Sequence, residues 1–120
     1  MKGNLNEKRF FTKIQLNDLP GIRALLQKDI RLLKTTDKQN LTALQFAVTT
    51  SQLSTIKLLI EEFNADPKAA GPRGRNSFLW GVGRVDVLRY LDSIESSLKH
   101  SKDNNGFGAL SIAVLWLLKK

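Results

Sequence analysis

The side chains that most often carry chemistry are sparse in this sequence. His100 is the single histidine and there is no cysteine, so thiol nucleophiles, disulfides and cysteine-type zinc sites are excluded together. With no second histidine or cysteine near it, His100 completes neither a Ser/His/acid arrangement nor a histidine-rich metal site. It reads as a surface residue near a helix end. Glu61 and Glu62 are adjacent, hence about 100° apart on a helix, poor geometry for a shared acid/base task. Gly81-Val82-Gly83 begins a phosphate-binding string, but Asp86 stands where its third glycine belongs. No Gly-Lys-Ser/Thr follows any glycine cluster, so neither a dinucleotide fingerprint nor a P-loop is present. Asn40-Leu41-Thr42 spells a glycosylation sequon, which reads as incidental, because asparagine at that point of a turn tolerates left-handed backbone. These residues point to no catalyst, no cofactor, no metal and no small-molecule substrate.

Charge is the other source of chemistry. The chain carries a formal +8 and a pI near 10.1. Lys68, Arg73, Arg75, Arg84 and Arg89 fall in a stretch whose only acid is Asp86, whereas Glu61 and Glu62 make their own helix acidic. Three readings fit a basic stretch: a solvated face, a site for an acidic protein, or a surface for nucleic acid or anionic lipid. No RNP-like aromatic pattern, zinc-finger spacing or GXXG clamp supports the nucleic-acid reading.

A length of 120 residues and an ordinary apolar and charged content predict one domain spanning residues 1–120. The first residues lack an apolar leader core, and the longest apolar run, residues 112–118, is far below the roughly 18 residues that span a bilayer. The expectation is an intracellular protein, cytoplasmic or nuclear, neither secreted nor transmembrane. The lack of cysteine fits a reducing compartment.

What must position these side chains is visible as a repeat. Asp37-Lys-Gln-Asn-Leu-Thr-Ala-Leu-Gln-Phe-Ala-Val48 returns further along the chain as Asp103-Asn-Asn-Gly-Phe-Gly-Ala-Leu-Ser-Ile-Ala-Val114, with Asp, Ala, Leu, Ala and Val coinciding. The displacement is two periods of about 33 residues, the length of a turn followed by two antiparallel helices, and so implies a middle copy. A second pattern agrees. Leu19, Ile22, Leu25 and Leu26 recur as Leu53, Ile56, Leu59 and Ile60, and Val85, Leu88 and Leu91 match the leading three. Each set is one helical stripe, which stacked neighbours can bury.

On these residues the chain resembles the ankyrin-repeat family, whose unit opens with an Asp-x-x-Gly-x-Thr-Pro-Leu-His-x-Ala-like turn and first helix. Openings fall at Gly3, Asp37, Gly71 and Asp103. The second copy fits best, with Thr42, Ala43, Leu44 and Ala47 on pattern, a close like the family's Gly-Ala-Asp at Asn64-Ala65-Asp66, and Phe63 as one inserted residue. The resemblance covers roughly residues 8–118. It implies an all-α solenoid of stacked helix-turn-helix units that binds a protein partner through a concave groove. Carried over by position, the turn tips are Lys38, Gln39 and Leu41, then Arg73 and Arg75, then Asn104, Asn105 and Phe107. The groove-side helix positions are Thr49 and Thr50, with Leu115 and Trp116 in the last copy. Phe46, Trp80 and Ile112 share one phase, and packing between repeats accounts for them better than a ligand-anchoring row.

Helices are predicted over residues 8–16, 20–27, 43–50, 53–62, 77–82, 85–96 and 109–118. The third copy departs from the pattern, with Gly81 where the helix alanine belongs and about two residues missing before Gly83, so its first helix should be short and weak. The fourth copy supplies a first helix alone. Its crowd of apolar residues predicts capping by a partner, self-association, or a truncated fragment of a longer array.

Overall fold

A computed structural model describes residues 5–118, and every regular element among them is helical. The opening expected at Gly3 lies outside the described residues. Two compact units divide the chain, Met1–Asp66 and Pro67–Lys120.

The first unit holds two helical hairpins, α1 (Leu5–Gln15) with α2 (Leu19–Lys28), and α3 (Ala43–Thr50) with α4 (Leu53–Lys57). Local chemistry sets their ends. Asp18 caps α2 by accepting the Gly21 amide at 3.0 Å, with Pro20 in the first turn, where a missing N–H costs nothing. Thr42 and Gln45 close a reciprocal capping box on α3, satisfying two amides that would otherwise lack partners. Helix α4 has no side-chain cap of its own. Asn17, from the α1–α2 loop, accepts the Gln52 amide at 2.8 Å and the Thr55 hydroxyl at 2.7 Å. Asn17 itself adopts φ 57, a conformation asparagine tolerates. Ser51 adds a bond to the Ile14 carbonyl at 2.9 Å, so one hairpin is hydrogen-bonded directly to the next. Phe10, Ile14, Ile22, Leu26, Leu44, Val48, Ile56 and Leu59 fill the interior.

The inserted residue at Phe63 is absorbed without a loop. Helix α4 widens into a π turn over Leu58–Glu62, which takes in the extra residue, and it ends on Asn64 at φ 59.

The second unit contains α5 (Ser77–Trp80), α6 (Val85–Ile94) and α7 (Ala109–Leu118). As its sequence predicted, α5 is short, four residues stopped at Gly81. Ser77 Oγ and Trp80 Nε1 are buried there without a hydrogen-bond partner, a cost most native interiors avoid. The expected stripe on α6 needs correction. Val85 is 61% exposed at the first turn, and Val87 with Leu91 forms the buried face. The register is still that of the second copy, since Val87 takes the place that Thr55 holds one copy earlier, and both are fully buried. A polar residue at Thr55 disguised the position in the sequence.

The echo between the second and fourth copies begins before the matched letters. A 3₁₀ turn, Ile30–Lys34, follows α2, and another, Ser96–His100, follows α6. Leu32 and Leu98 are the buried residues of these turns. The residues before them, Asp29 (φ −150, ψ 94) and Glu95 (φ −152, ψ 88), share one backbone conformation.

Candidate functional site

The turns that precede α3 and α7 are built from one carboxylate each. Asp37 Oδ1 accepts the amides of Gln39 and Leu41, both at 2.9 Å, while the Asp37 amide donates to the Leu41 carbonyl at 3.0 Å. Asp103 repeats the arrangement with Asn105 and Phe107, again at 2.9 Å, and its amide donates to the Phe107 carbonyl. Asn40 at φ 65 and Gly106 at φ 78 turn the chain at corresponding places. Aspartate suits this role because its short side chain reaches backbone amides two and four residues ahead.

The turn before α5 keeps the backbone path and loses the carboxylate. The Gly71 amide donates to the Arg75 carbonyl at 2.8 Å, and Gly74 takes the left-handed position at φ 71. Support comes from the neighbouring turn. The Asn104 amide donates to the Arg73 carbonyl at 2.8 Å, and a side chain on Gly74 would collide with Asn104 Oδ1. Arg75 Nε reaches Asp103 Oδ2 at 3.2 Å. The Arg75 guanidinium also lies 5.4 Å from the centre of the Trp80 ring, within cation–π range. Burial works to raise the Asp103 pKa, but the Phe107 and Asn105 amides and Arg75 outweigh it and hold the carboxyl below its ordinary value.

The expected tip residues therefore divide by environment. Lys38, Gln39, Arg73, Asn104, Asn105 and Phe107 are exposed. Leu41 is buried under its turn, and the Arg75 side chain is 14% exposed against a fully buried Asp103 side chain. Both are occupied in holding the turns. Thr49 and Thr50 are exposed, with each hydroxyl donating to the Phe46 carbonyl at 2.8 Å. Leu115 is exposed on α7. Trp116 belongs to α7, but its side chain lies outside what the structure describes. The row at Phe46, Trp80 and Ile112 is engaged in packing: Phe46 meets Phe11 edge to face at 5.4 Å, Trp80 lies under Arg75, and Ile112 is buried.

The basic stretch is weaker than its letters suggest. Lys68 pairs with Glu95 at 3.4 Å, and Arg75 with Asp103, so acids distant in sequence offset two of the five cations. Among the described residues no group of acidic, histidine or cysteine side chains could hold a metal ion. No helix there is long and apolar enough to cross a membrane.

Comparison with known families agrees with this geometry. The model described as ankyrin repeats (many copies) matches residues 10–60, the span that holds the Asp37 turn and most of both hairpins of the first unit. No curated protein matches the chain. The Asp103 turn and the second 3₁₀ turn reproduce the local geometry of their counterparts two copies earlier. The chain belongs to the ankyrin-repeat family, matched over residues 10–60.

Proposed function

We propose that this chain is a non-catalytic module that binds a protein partner through its turn tips. Ankyrin repeats in general are protein–protein interaction modules. The observation that carries the reading here is the contrast at the tips between fixed backbone and free side chains. Asp37 and Asp103 pin their turns with two amide bonds each, while Lys38, Gln39, Asn104, Asn105 and Phe107 project from them exposed. A surface already ordered before binding loses less entropy on association. In the first unit the tip is Lys38 and Gln39, with Thr49 and Thr50 on α3. In the second it is Arg73, Asn104, Asn105 and Phe107.

The charge at these tips favours an acidic partner. Lys38 and Arg73 make no ion pair among the described residues, whereas Arg75 is neutralised by Asp103. Leu41 and Arg75 act as supports under the tips. The test compares capture of proteins from a cell extract by the wild-type chain with capture by Lys38→Ala/Gln39→Ala, Arg73→Ala/Phe107→Ala and, on the outer helices, Lys57→Ala/Arg89→Ala. A partner lost by the tip variants and kept by the outer-helix variant supports the reading, and the reverse pattern removes it. Retention on heparin that collapses steeply with salt, with no protein captured, would favour docking on nucleic acid or anionic lipid.

A further inference from the structure

Helix α7 contains ten residues, Ala109–Leu118, and not one is charged. Ile112 is buried, and α7 packs on α5. The opposite side is different. Leu110, Val114, Leu117 and Leu118 are all exposed, and their spacing of i, i+4, i+7 and i+8 places them in one stripe about 100° wide. The centre of that stripe faces away from Ile112. A helix apolar on every side belongs in an interior.

The repeat itself shows what covers such a face. Leu110 and Val114 stand two copies after Leu44 and Val48, at the same positions of the unit. Leu44 is 2% exposed and Leu110 is 80% exposed. Helix α3 packs on α1, the first helix of the preceding copy, and on α4, its hairpin partner. Helix α7 has the first kind of neighbour in α5, and no hairpin partner follows it among the described residues. The uncovered stripe has the shape of a seat for one antiparallel amphipathic helix.

Charge selects the occupant. From Lys99 to Lys120 the cations are Lys99, Lys102, Lys119 and Lys120, and the one acid is Asp103. Asp103 is already held by two amides and Arg75, so nothing near the stripe offsets the lysines that flank both of its ends in sequence. A second copy of α7 would bring lysines against lysines in either orientation. A contact about 15 Å long would also bury less than the roughly 1,200 Å² of a stable dimer. We propose that α7 is a docking surface for an amphipathic helix of another protein, one with an apolar stripe and acidic residues at both ends.

The test uses the full chain and two short synthetic helices with the same leucine stripe, one with glutamates at both ends and one with lysines, each fluorescently labelled. The acidic helix should bind at least tenfold more tightly than the basic one, and its binding should weaken with salt. Leu110→Gln/Leu118→Gln should reduce that binding at least tenfold. Val85→Gln, at an exposed apolar residue elsewhere in the second unit, should leave it unchanged. Equal helix content by circular dichroism in all three proteins keeps the comparison free of misfolding. Equal affinity for the two helices, or acidic-helix binding that survives Leu110→Gln/Leu118→Gln, overturns the proposal. So does a wild-type dimer in sedimentation that the same double substitution dissolves, which would make the occupant a second copy.

Discussion

Arg23 and Glu62, 39 residues apart, meet fork to fork, with Nε to Oε1 and Nη2 to Oε2 both at 2.9 Å. The pair joins α2 to the π turn at the end of α4, two second helices of successive copies. Its two-pronged geometry fixes an orientation as well as a distance.

The hydrogen bond from Arg23 holds the Glu62 carboxyl below its ordinary pKa. A carboxylate whose folded pKa is lowered contributes stability above its unfolded pKa, and that contribution is lost as pH falls through the folded value. The pair should therefore matter at neutral pH and fade in the acid range below the ordinary glutamate value. In Arg23→Gln the Glu62 midpoint, followed by carboxyl carbon NMR, should move upward, and the acid-side drop in stability attributable to this group should shrink. An unmoved midpoint would show that the fork does not persist in solution.

Three left-handed turn residues should respond differently to substitution. Gly106→Ala meets no atom within 4 Å and suffers only from its φ of 78, a penalty of about 1–2 kcal/mol. Gly74→Ala adds a collision with Asn104 and should cost more. Asn40→Gly, relieving φ 65, should be neutral or stabilising by less than ~1 kcal/mol. Urea unfolding gives the order, and Gly74→Ala milder than Gly106→Ala would contradict the packing of the third turn on the fourth.

On α6, Val87→Ala should destabilise by roughly 1–2 kcal/mol through lost burial, whereas Val85→Ala should stay within about 0.5 kcal/mol. Equal effects would return the buried face to the stripe expected from the sequence.

Asn17→Gly keeps the backbone freedom of the α1–α2 loop and removes the acceptor for Gln52 and Thr55. With Thr55 fully buried, the cost should be about 1–3 kcal/mol. Hydrogen exchange should show the loss first at the start of α4, and unchanged protection there would mean that Asn17 is dispensable as a cap.

Much of this fold was legible because its determinants are local. The Asp37 turn, the Thr42 cap and the weak α5 each depend on residues within a few positions of one another, and the α3 and α7 boundaries agree with the periodicity. What escaped depends on contacts across long separations or on residues whose letters mislead. Asn17 caps a helix 35 residues away. Arg75 reads as a free cation until Asp103, 28 residues later, folds against it. Leu41 reads as a tip until its turn closes over it. Val87 was hidden because its counterpart in the better copy is a threonine. Of the candidate site, the turn positions were readable from the repeat. Which side chains remain available was not, since exposure follows from neighbours that the period does not name.

The π turn at Leu58–Glu62 also fixes angular phase. An extra residue held inside a helix advances everything after it by about 100°, so the Glu62 carboxylate faces Arg23 only while that turn stays wide. Loss of one residue between 58 and 63 would let α4 run on as regular helix, at little cost to its own hydrogen bonds, and would swing the acidic prong out of reach of its partner. The insertion thus works as a rotary spacer. A length change too small to disturb either hairpin sets whether two successive second helices are cross-linked by charge, so related chains lacking the spacer should also lack a facing Arg/Glu pair at these positions.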